Sequence, residues 1–550
     1  MTDNAMNREN IAVTLEILAQ EIPEAKAVIL ARTDFSVTFQ QLNEEVNRLA
    51  TGLLPTGITR GHRVLVMVPA GLEFLALTFA LFKIGAVPVL IDPGLGRKSV
   101  LAGIRKVAPD AMIAVPLAHA ARLIFSRAFK KTKIHITVGR RWFWGGPTLA
   151  KVRASGRPDF QSTKTRPEDP AAILFTSGST GPPKGVLYTH RMFAQQVSLL
   201  QKIYGIKKGE VDLPTFPLFA LFGVSLGMTC VLPDMDASRP AKVDPEKIIR
   251  AIRKYSVTSS FGSPALWHTV SKYCLEKNIQ IPELKRILMA GAPVPGPLLQ
   301  RFDAILSPEA EIHTPYGATE ALPVATLSRK EILGETWRRT EQGLGICVGH
   351  PVPELSLRII QITDAPITKW TEELAVAPGV IGEIVVQGAW VAEHYFNSEA
   401  ETRLAKIPQG ETIWHRMGDV GTLDEQGRLW FCGRKNHRVT LQDKTLYTIP
   451  CEAIFNTHPE VQRSALVGTG PRDAQQPVMV IELADKTKSQ DQRNTLRREL
   501  LELGSRQAIT RDITRILFHP AFPVDIRHNA KISREQLARW ATNLRLDANG

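Results

Sequence analysis

The stretch Ile173–His190, ILFTSGSTGPPKGVLYTH, is the most informative in this chain of 550 residues. It predicts an apolar strand that runs into a loop rich in glycine and hydroxyl groups. We assign phosphate binding in this loop to Thr176, Ser177, Gly178, Ser179, Thr180, Gly181 and Lys184. Glycines let the backbone approach an anion closely, N–H groups and hydroxyls donate hydrogen bonds to it, and a lysine adds a point charge. The stretch therefore predicts a polyphosphate site directly after a buried strand.

Two other interpretations of this loop are weaker. A P-loop NTPase requires the pattern G-x-x-x-x-G-K-[S/T] at the start of a helix. Here two prolines precede Lys184 and Gly185 follows it, so that pattern is absent. A flexible serine-rich linker is disfavoured because the loop follows an apolar strand at once.

Length and composition set limits on the class of protein. A chain of 550 residues with 44% hydrophobic residues is too long for one ordinary core, so two or more globular domains are expected. The five cysteines are widely spaced and include no C-x-x-C pair, which argues against a disulfide framework and a zinc site. The polar N-terminus, residues 1–10, does not resemble a signal peptide. We therefore expect a cytoplasmic protein.

The net charge of +14 indicates an anionic partner, which could be a nucleic acid, a membrane surface or an acidic substrate. No nucleic-acid-binding module is recognisable, so we expect no nucleic-acid partner. The most basic and aromatic stretch is Arg122–Trp144. It is interpreted either as a solvated helix and strand or as a contact with a membrane surface or a partner protein. The most apolar stretch, Leu72–Ile91, contains charged and helix-breaking residues and predicts a buried helix and strand rather than a membrane span.

Strand and helix signals alternate along most of the chain. Thr38–Leu54 and Glu73–Ile84 show apolar residues at helical spacing, and Ala86–Ile91 has the pattern of a strand. This alternation is typical of parallel sheets covered by helices. After about Glu383, short strands with glycine-rich turns indicate a barrel-like or antiparallel region. From about Asn436 to the end the pattern is that of an α+β segment.

Four further motifs follow the phosphate loop in order along the chain. They are MAGAP (Met289–Pro293), YGATE (Tyr316–Glu320), RMGD (Arg416–Asp419) with GRK after it, and FPVDIRHNAKISR (Phe522–Arg534). A carboxylate such as Glu320 suits Mg²⁺, and a tyrosine ring can stack on a base while its hydroxyl forms a hydrogen bond. Each motif is weak alone, but together and in this order they are specific.

The phosphate loop and these motifs resemble those of the adenylate-forming superfamily, which includes acyl- and aryl-CoA synthetases, luciferases and peptide-synthetase adenylation domains. The resemblance covers nearly the whole chain and implies an α/β fold. Residues 1–435 would form a large N-terminal domain of layered sheets and helices with a barrel-like subdomain. Residues 436–550 would form a small mobile α+β lid that rotates about the hinge residue Asn436. The resemblance also implies an AMP-forming ligase that uses ATP and Mg²⁺.

The resemblance implies a role for each matching residue. Lys531 would be the catalytic lysine of the lid, bridging the substrate carboxylate and the α-phosphate, where charge builds up. Thr319 would contact the α-phosphate, and Glu320 with Thr176 would hold Mg²⁺. The remaining residues assigned to ATP are Gly291, Ala292 and Pro293 beside adenine, Tyr316 and Gly317 with the ring of Tyr316 stacked on adenine, and Asp419 and Arg434 at the ribose.

Two departures from the family pattern put CoA in doubt as a second substrate. Asp443 occupies the position of a glycine that lets pantetheine pass, and about two residues are inserted before Pro450. Ala530 replaces the glycine that usually precedes the lid lysine. Since glycine is the residue used for close ligand approach, these changes disfavour a thiol tunnel.

A third departure concerns the acyl pocket. The family motif P-x-x-H appears here as TFPLFALFG, Thr215–Gly223, with Ala220 where histidine is common. We assign the pocket wall to Phe216, Phe219, Ala220 and Phe222. An apolar wall suits a hydrocarbon chain, although the same aromatic residues could also belong to the core.

The segments TFPLFALFG, LPDMDASRP and PVDIRHNAKI are most similar to one subgroup, the OleC-type enzymes of bacterial long-chain olefin biosynthesis. This resemblance implies β-lactone synthetase activity on a long-chain 2-alkyl-3-hydroxy acid. ATP would activate the carboxylate as an acyl-adenylate, and the substrate's own 3-hydroxyl would close the ring, with the advantage of proximity. The resemblance also suggests a complex with other enzymes of the olefin pathway, and the stretch Arg122–Trp144 suggests a peripheral membrane contact.

Two alternatives stay open. The first is a long-chain fatty acyl-CoA or acyl-AMP ligase, which would use simple fatty acids. The second is a non-catalytic nucleotide-binding scaffold, which the joint presence of Lys184, Glu320, Asp419, Arg434 and Lys531 disfavours. The sequence names no general base for the 3-hydroxyl.

Overall fold

A computed structural model describes residues 10–176, 183–524 and 532–547. Lys531 and the loop residues Ser177, Gly178, Ser179, Thr180 and Gly181 therefore lie outside the described residues. The α-helices are α1 (Val13–Glu21), α2 (Phe39–Leu53), α3 (Leu72–Ile84), α4 (Arg97–Val107), α5 (Pro116–Ile124), α6 (Leu149–Ser155), α7 (His190–Tyr204), α8 (Pro217–Ser225), α9 (Pro245–Lys254), α10 (Pro264–Glu276), α11 (Gly296–Gln300), α12 (Arg329–Glu331), α13 (Trp337–Glu341), α14 (Glu399–Ala405), α15 (Thr448–Phe455), α16 (Gln490–Ser505) and α17 (Arg534–Asp547).

A six-stranded sheet carries the strand that leads into the phosphate loop. Its strands, in spatial order, are β6 (Ile134–Thr137), β5 (Ala111–Ala114), β3 (Arg63–Met67), β4 (Val87–Ile91), β7 (Pro170–Thr176) and β8 (Lys184–Thr189). Neighbouring strands are parallel except for the antiparallel pair β7 and β8. Thr176 and Lys184 are register partners in that pair, so the loop leaves and re-enters the sheet at adjacent points. The apolar strand predicted before the loop is confirmed.

A seven-stranded sheet lies on the other side of the largest apolar core. Its strands are β13 (Glu311–His313), β12 (Arg286–Met289), β11 (Ser259–Gly262), β9 (Val211–Pro214), β10 (Thr229–Leu232), β1 (Lys26–Leu30) and β2 (Ser36–Thr38). Helices α2, α3, α7 and α8 pack between the two sheets. The helix predicted from Thr38 is α2, and Thr38 caps it because its side chain accepts a hydrogen bond from the backbone N–H of Gln41.

An eight-stranded antiparallel sheet forms the third layer. In spatial order its strands are β14 (Tyr316–Ala318), β15 (Ala321–Thr326), β16 (Ile346–Pro351), β21 (Leu429–Arg434), β20 (Thr412–Leu423), β18 (Gly382–Gln387) and β17 (Ser356–Ile360), and β19 (Lys406–Gln409) also pairs with β20. The change to antiparallel strands after Glu383 is confirmed, but the sheet begins earlier, at Tyr316. The first two strands form a hairpin closed by the two residues Thr319 and Glu320, in a stretch that the sequence analysis assigns only to the motif YGATE.

The C-terminal part has its own small core. Its strands are β22 (Val439–Thr440), β23 (Thr445–Leu446), β24 (Val461–Thr469), β25 (Gln476–Leu483) and β26 (Arg515–Phe518), and α15 and α16 pack against them. The α+β character predicted from Asn436 onward is confirmed. Asn436 itself lies in a short 3₁₀ turn, Lys435–His437, between the eight-stranded sheet and β22. Its role as a hinge and the domain limits at 435 and 436 stay predictions.

The apolar stretch Leu72–Ile91 forms α3 and β4, as predicted. Within the described residues, no helix combines the length and the apolarity that crossing a membrane requires. Lys83 at the end of α3 is fully buried, and its ammonium lies 2.8 Å from the Glu16 carboxylate. This ion pair compensates for the burial of a charge within the core.

Candidate active site

A segment that follows β18 joins the eight-stranded sheet to the edge of the six-stranded sheet. The backbone N–H of Phe396 donates to the carbonyl of Gly185 at 2.8 Å, and Tyr395 pairs with Val186 as an isolated β-bridge. As a result the Lys184 ammonium lies 5.0 Å from the centroid of the Tyr395 ring, a distance typical of a cation–π contact. Lys184 therefore lies beside the segment that follows β18 of the eight-stranded sheet.

The turn between β14 and β15 holds Thr319 and Glu320 beside this junction. The Tyr395 hydroxyl donates to Glu320 Oε1 at 2.7 Å, and the Tyr188 hydroxyl donates to the Thr319 carbonyl at 2.6 Å. The turn itself depends on Gly317, because a Cβ at that position would lie 2.5 Å from the Ala321 carbonyl oxygen. Lys184 and Glu320 thus share Tyr395 as a neighbour, and a cation for phosphate lies near a carboxylate suited to Mg²⁺.

Asp419 is the centre of a second, buried polar cluster. It lies in β20 opposite Arg434 in β21, and Arg434 Nη1 is 2.9 Å from Asp419 Oδ1. The Tyr316 hydroxyl donates to Asp419 Oδ2 at 2.6 Å. Burial raises the pKa of Asp419, while Arg434 and the Tyr316 hydrogen bond act in the opposite direction. Three residues predicted to contact the nucleotide therefore meet, although they come from three different strands.

The segment predicted to lie beside adenine follows β12. The backbone N–H of Ala290 donates to the Gly262 carbonyl at 3.1 Å, and Gly291 has φ of +95°, a left-handed conformation that favours glycine. Ala292 is partly buried and Pro293 is exposed. The segment lies at the carboxyl ends of parallel strands, which is where ligands of such sheets usually bind.

A buried lysine near Glu320 was missed by the sequence analysis. Lys406, the first residue of β19, is 4% exposed, donates to the Ala392 carbonyl and lies 3.0 Å from His415 Nδ1. Burial lowers the pKa of Lys406 to about 7, although the nearby Glu320 opposes this shift. Burial and the charge of Lys406 also lower the pKa of His415 well below its ordinary value. No sequence signal distinguishes Lys406 from a surface lysine, because only the packing buries it.

Aromatic rings of α8 line the predicted acyl pocket. Phe219 stacks on Phe261 of β11 with centroids 3.4 Å apart, and the rings of Phe216 and Phe222 lie 5.8 and 6.0 Å from Phe219. All three phenylalanines of α8 and its N-cap are only partly buried. Ala220, in contrast, is fully buried in the large core.

The aromatic row continues toward the predicted phosphate contacts. Phe222 lies 6.0 Å from Phe193, and Phe193 lies 4.9 Å from Tyr188. Tyr188 is the residue whose hydroxyl holds the carbonyl of Thr319. Phe193 and Tyr188 are themselves buried in the large core, so only the rings of Phe216, Phe219 and Phe222 are partly open to a ligand. Tyr188, Phe193 and Tyr395 were not identified from the sequence, because aromatic residues in apolar runs normally indicate core.

The donor set fits a magnesium ion that is shared with phosphates. Among residues 10–176, 183–524 and 532–547, no group of three His, Cys, Asp or Glu side chains could hold a metal. Mg²⁺ commonly takes one or two protein carboxylates and completes its octahedron with phosphate oxygens and water. The single carboxylate of Glu320, near Lys184, suits such a site. Thr176, the other predicted ligand, ends β7.

Residues predicted to contact a nucleotide thus lie on both a mainly parallel sheet and an antiparallel sheet, and comparison with known proteins identifies the enzyme class. Residues 15–396 match the model of the family described as AMP-binding enzyme, and the chain belongs to that family. It is thus an adenylate-forming, AMP-forming ligase that uses ATP, as the motifs predicted.

Two relatives that align along nearly the whole chain have a more specific name than the family. The chain is 45% identical to proteins named olefin beta-lactone synthetase from Stenotrophomonas maltophilia and Xanthomonas campestris. These alignments cover 98% of this chain and 99% and 98% of the relatives. The solved structure of the amide bond synthetase McbA from Marinactinospora thermotolerans superimposes with a TM-score of 0.78 at 22% identity, over 96% of this chain and 99% of that one. The adenylate-forming fold predicted from the motifs is confirmed.

Proposed function

We propose that this protein converts a long-chain 2-alkyl-3-hydroxy acid into a β-lactone at the expense of ATP. The observation that carries the proposal is the 45% identity, over essentially the whole chain, to two olefin beta-lactone synthetases. The partly exposed rings of Phe216, Phe219 and Phe222 support a hydrocarbon substrate, because they provide apolar area for it to cover. The product would feed bacterial olefin biosynthesis, in which other enzymes of the pathway are expected partners.

In the first half-reaction a carboxylate oxygen of the substrate attacks the α-phosphorus of ATP and pyrophosphate leaves. Lys184, together with the predicted loop Thr176–Gly181, binds the phosphates, and Asp419 binds the ribose. Glu320 would hold Mg²⁺, which supplies charge neutralisation for the phosphates when bound. Tyr395 orients the Glu320 carboxylate through its 2.7 Å hydrogen bond. Lys531 would add a cation between the carboxylate and the α-phosphate when the C-terminal part closes.

In the second half-reaction the substrate's 3-hydroxyl oxygen attacks the acyl carbon of the adenylate. The new C–O bond closes the four-membered ring, the bond to the phosphate oxygen breaks, and AMP leaves. The hydroxyl proton passes to a base that we do not assign. Because the nucleophile is part of the substrate, it is held close to the acyl carbon and no external thiol is needed.

The hairpin that replaces the family's glycine segment supports a reaction without CoA. Leu441 N–H donates to the Lys444 carbonyl at 2.8 Å, which closes a tight turn with Asp443 exposed at its tip. Lys444 forms an ion pair with Asp512 of the C-terminal part. A charged and tethered turn is a poor substitute for the glycine that usually gives pantetheine room.

One mass-spectrometric assay separates the proposal from acyl-CoA ligation. The purified enzyme would receive ATP and Mg²⁺ with either a 2-alkyl-3-hydroxy acid or the matching acid without the hydroxyl, each with and without CoA. We expect a product 18 mass units below the hydroxy acid, with AMP release independent of CoA. AMP release that requires CoA and yields a thioester from the plain acid would contradict the proposal and favour the acyl-CoA ligase.

The role of Lys531 is tested by the same assay. We expect Lys531→Ala to lower the rate of pyrophosphate release by roughly 100-fold or more, because a cation at the developing charge is lost. Lys486→Ala, which removes an exposed lysine from the same part of the chain, is the control and should keep the wild-type rate. An unchanged rate in Lys531→Ala would exclude the lysine from adenylation.

A further inference from the structure

The positive charge of this protein is concentrated in one segment. Residues 111–158 contain ten lysines and arginines and no aspartate or glutamate. The other 502 residues carry 58 basic and 54 acidic side chains, a net charge of only +4. The high isoelectric point is therefore a local property of one segment, and the proposed reaction uses none of these cations.

The same segment contains the most exposed large apolar side chains of the protein's described residues. Of twelve exposed large hydrophobic residues in the described part of the chain, five lie here: Leu117, Leu123, Ile124, Trp142 and Phe143. Phe143 is 79% exposed and Leu117 and Ile124 are each 74% exposed, the three highest values among the twelve. Side chains of this size normally avoid such exposure unless they meet a partner.

The apolar side chains lie on two elements that pack against each other. Helix α5 buries Ala118 and His119, and Leu117 and Ile124, two turns apart, share a different side of the helix. The loop after β6 is anchored by Trp144, which is buried, donates to Thr137 Oγ1 at 2.9 Å and lies 5.4 Å from the His119 ring.

Trp144 thereby fixes the exposed rings of the loop. The rings of Trp142 and Phe143 lie 5.4 and 5.3 Å from that of Trp144. The Arg141 guanidinium donates to the Gly146 carbonyl at 2.6 Å and closes the loop. The exposed rings of Trp142 and Phe143 therefore lie on a loop beside α5 that these contacts hold in one conformation.

Exposed cations lie between these apolar side chains along the segment. The exposed ones are Arg127, Lys130, Lys131, Lys133, Arg140 and Arg141. None of the six forms an ion pair within the part of the chain that the structure describes. We call these cations and the five apolar side chains the basic face. Exposed tryptophan and phenylalanine with aliphatic side chains and unpaired cations are the composition of surfaces that lie in the headgroup region of anionic bilayers.

We propose that the basic face docks this protein on the surface of an anionic lipid bilayer. Charge complementarity favours acidic headgroups, and the exposed Leu117 and Ile124 favour a bilayer over nucleic acid, which offers aliphatic side chains little to bury. The face lies at the β6 edge of the six-stranded sheet, and Lys184 lies at the opposite edge, five strand spacings away, or about 24 Å. Docking at β6 would thus leave the candidate active site uncovered. The proposal does not depend on the proposed reaction.

Vesicle sedimentation with the full-length protein tests this proposal. One set of vesicles contains equal parts of phosphatidylglycerol and phosphatidylcholine, and the other contains phosphatidylcholine alone. We expect binding at least about fivefold tighter to the anionic vesicles, and weaker binding as salt is raised. Equal binding to both sets, or no binding to either, would overturn the proposal.

Two double variants separate the charged and apolar contributions. Arg140→Gln with Arg141→Gln, and Trp142→Ser with Phe143→Ser, should each weaken vesicle binding by roughly tenfold. Phe35→Ser, and Lys272→Gln with Lys277→Gln, are matched controls that change exposed residues elsewhere and should bind like wild type. Thermal unfolding of every variant checks the fold without reference to activity.

If the basic face binds nucleic acid or a second copy of the chain instead of a bilayer, the experiments give different results. Retention on double-stranded DNA that Arg140→Gln with Arg141→Gln abolishes, without vesicle binding, would assign the face to nucleic acid and overturn the proposal. A dimer that Trp142→Ser with Phe143→Ser dissociates, again without vesicle binding, would assign the face to a second copy of the chain. Vesicle binding retained in both double variants would place the docking surface elsewhere and likewise overturn the proposal.

Discussion

The two sheets that meet at the candidate active site contribute to it in different ways. The six-stranded sheet supplies Lys184 and the phosphate loop from one continuous stretch of sequence, at the turn from β7 to β8. The eight-stranded sheet supplies Tyr316 and Asp419, which are 103 positions apart and are joined by a partly buried hydrogen bond. On the first side we therefore expect function to depend on residues that are close together in the sequence and on the charge of Lys184. Function on the second side rests on packing, so substitutions there should affect stability and nucleotide binding together.

Asp419→Asn should have the largest effect of the substitutions that test this contrast. It leaves the partly exposed Arg434 without its carboxylate and removes a predicted ribose contact. Since a hydrogen bond to a charged group contributes about 1.5–3 kcal/mol, kcat/KM for ATP should fall on the order of 100-fold, with a lower Tm. Steady-state pyrophosphate release and thermal unfolding measure the two effects.

Asp424→Asn is the matched control for Asp419. Asp424 is a partly buried carboxylate in the turn between β20 and β21 that accepts hydrogen bonds from Trp430 and Arg428. Its substitution should lower Tm and leave the KM for ATP unchanged. Equal changes of that KM in both variants would contradict a specific nucleotide role for Asp419.

Lys184→Met tests the contribution of the six-stranded sheet. The change removes the cation beside Tyr395 and leaves the backbone of β8 intact. Adenylation, measured as pyrophosphate release, should slow by roughly 10- to 100-fold because one charged phosphate contact is lost. Tm should stay within about 2 °C of wild type, since the lysine is only partly buried. A large drop in Tm would show that this side also depends on packing.

Tyr395→Phe tests the contact between the two sides. It removes the 2.7 Å hydrogen bond to Glu320 and keeps the ring beside Lys184. We expect kcat to fall about tenfold and the Mg²⁺ concentration for half-maximal rate to rise, because the carboxylate loses its orientation. Titration of Mg²⁺ at saturating ATP provides the measurement. An unchanged Mg²⁺ dependence would mean that Tyr395 does not position Glu320.

Lys406→Met should produce the smallest effect, a change in the pH dependence of stability. The folded pKa of about 7 lies below the ordinary lysine value of 10.5, so the unfolded chain binds more protons between these two values. The contribution of Lys406 to the free energy of unfolding therefore rises with pH across that window, by at most about 1.4 kcal/mol per unit, and is least favourable at pH 7 and below. Relative to wild type, the variant should gain a few degrees in Tm at pH 6.5 and lose most of this advantage by pH 9.5.

Lys83→Met is the contrasting variant for Lys406. Lys83 is also buried and its pKa is also lowered by burial, but it is paired with Glu16. Its loss leaves that carboxylate unpaired and should lower Tm at both pH values. A Tm difference between Lys406→Met and wild type that does not vary with pH would contradict the lowered pKa of Lys406.

Much of the architecture could be predicted from the sequence because its signals are local. Periodicity and turn residues suffice to predict the strand before the phosphate loop, the cap at Thr38, the helix within Leu72–Ile91 and the antiparallel region after Glu383. The pairing of β16 with β21, which joins the early strands of the antiparallel sheet to the later ones, could not be predicted in this way, since strand pairing between distant segments is a tertiary property.

In the candidate site, too, some residues could be predicted from the sequence and others could not. Glu320, Asp419 and Arg434 were found because each belongs to a short motif with a recognisable order along the chain. Tyr188, Tyr395 and the pair Lys406 and His415 belong to no motif, and their participation follows only from contacts made after the sheets come together. The difference between Phe219, which is partly open, and Ala220, which is in the core, likewise depends on how α8 packs.

The sequence by itself determined the chemistry of this protein, because glycines, hydroxyls, one lysine and a few carboxylates at fixed spacing suffice to specify nucleotide activation. It also determined that the excess positive charge lies in residues 111–158. Only the tertiary structure decided that Lys184 and Glu320 share Tyr395, that Lys406 is buried, and that the basic face presents its apolar side chains outward at the far edge of the sheet. The physical reason is that motifs record which groups are available, whereas burial and proximity arise from packing between segments far apart in the chain.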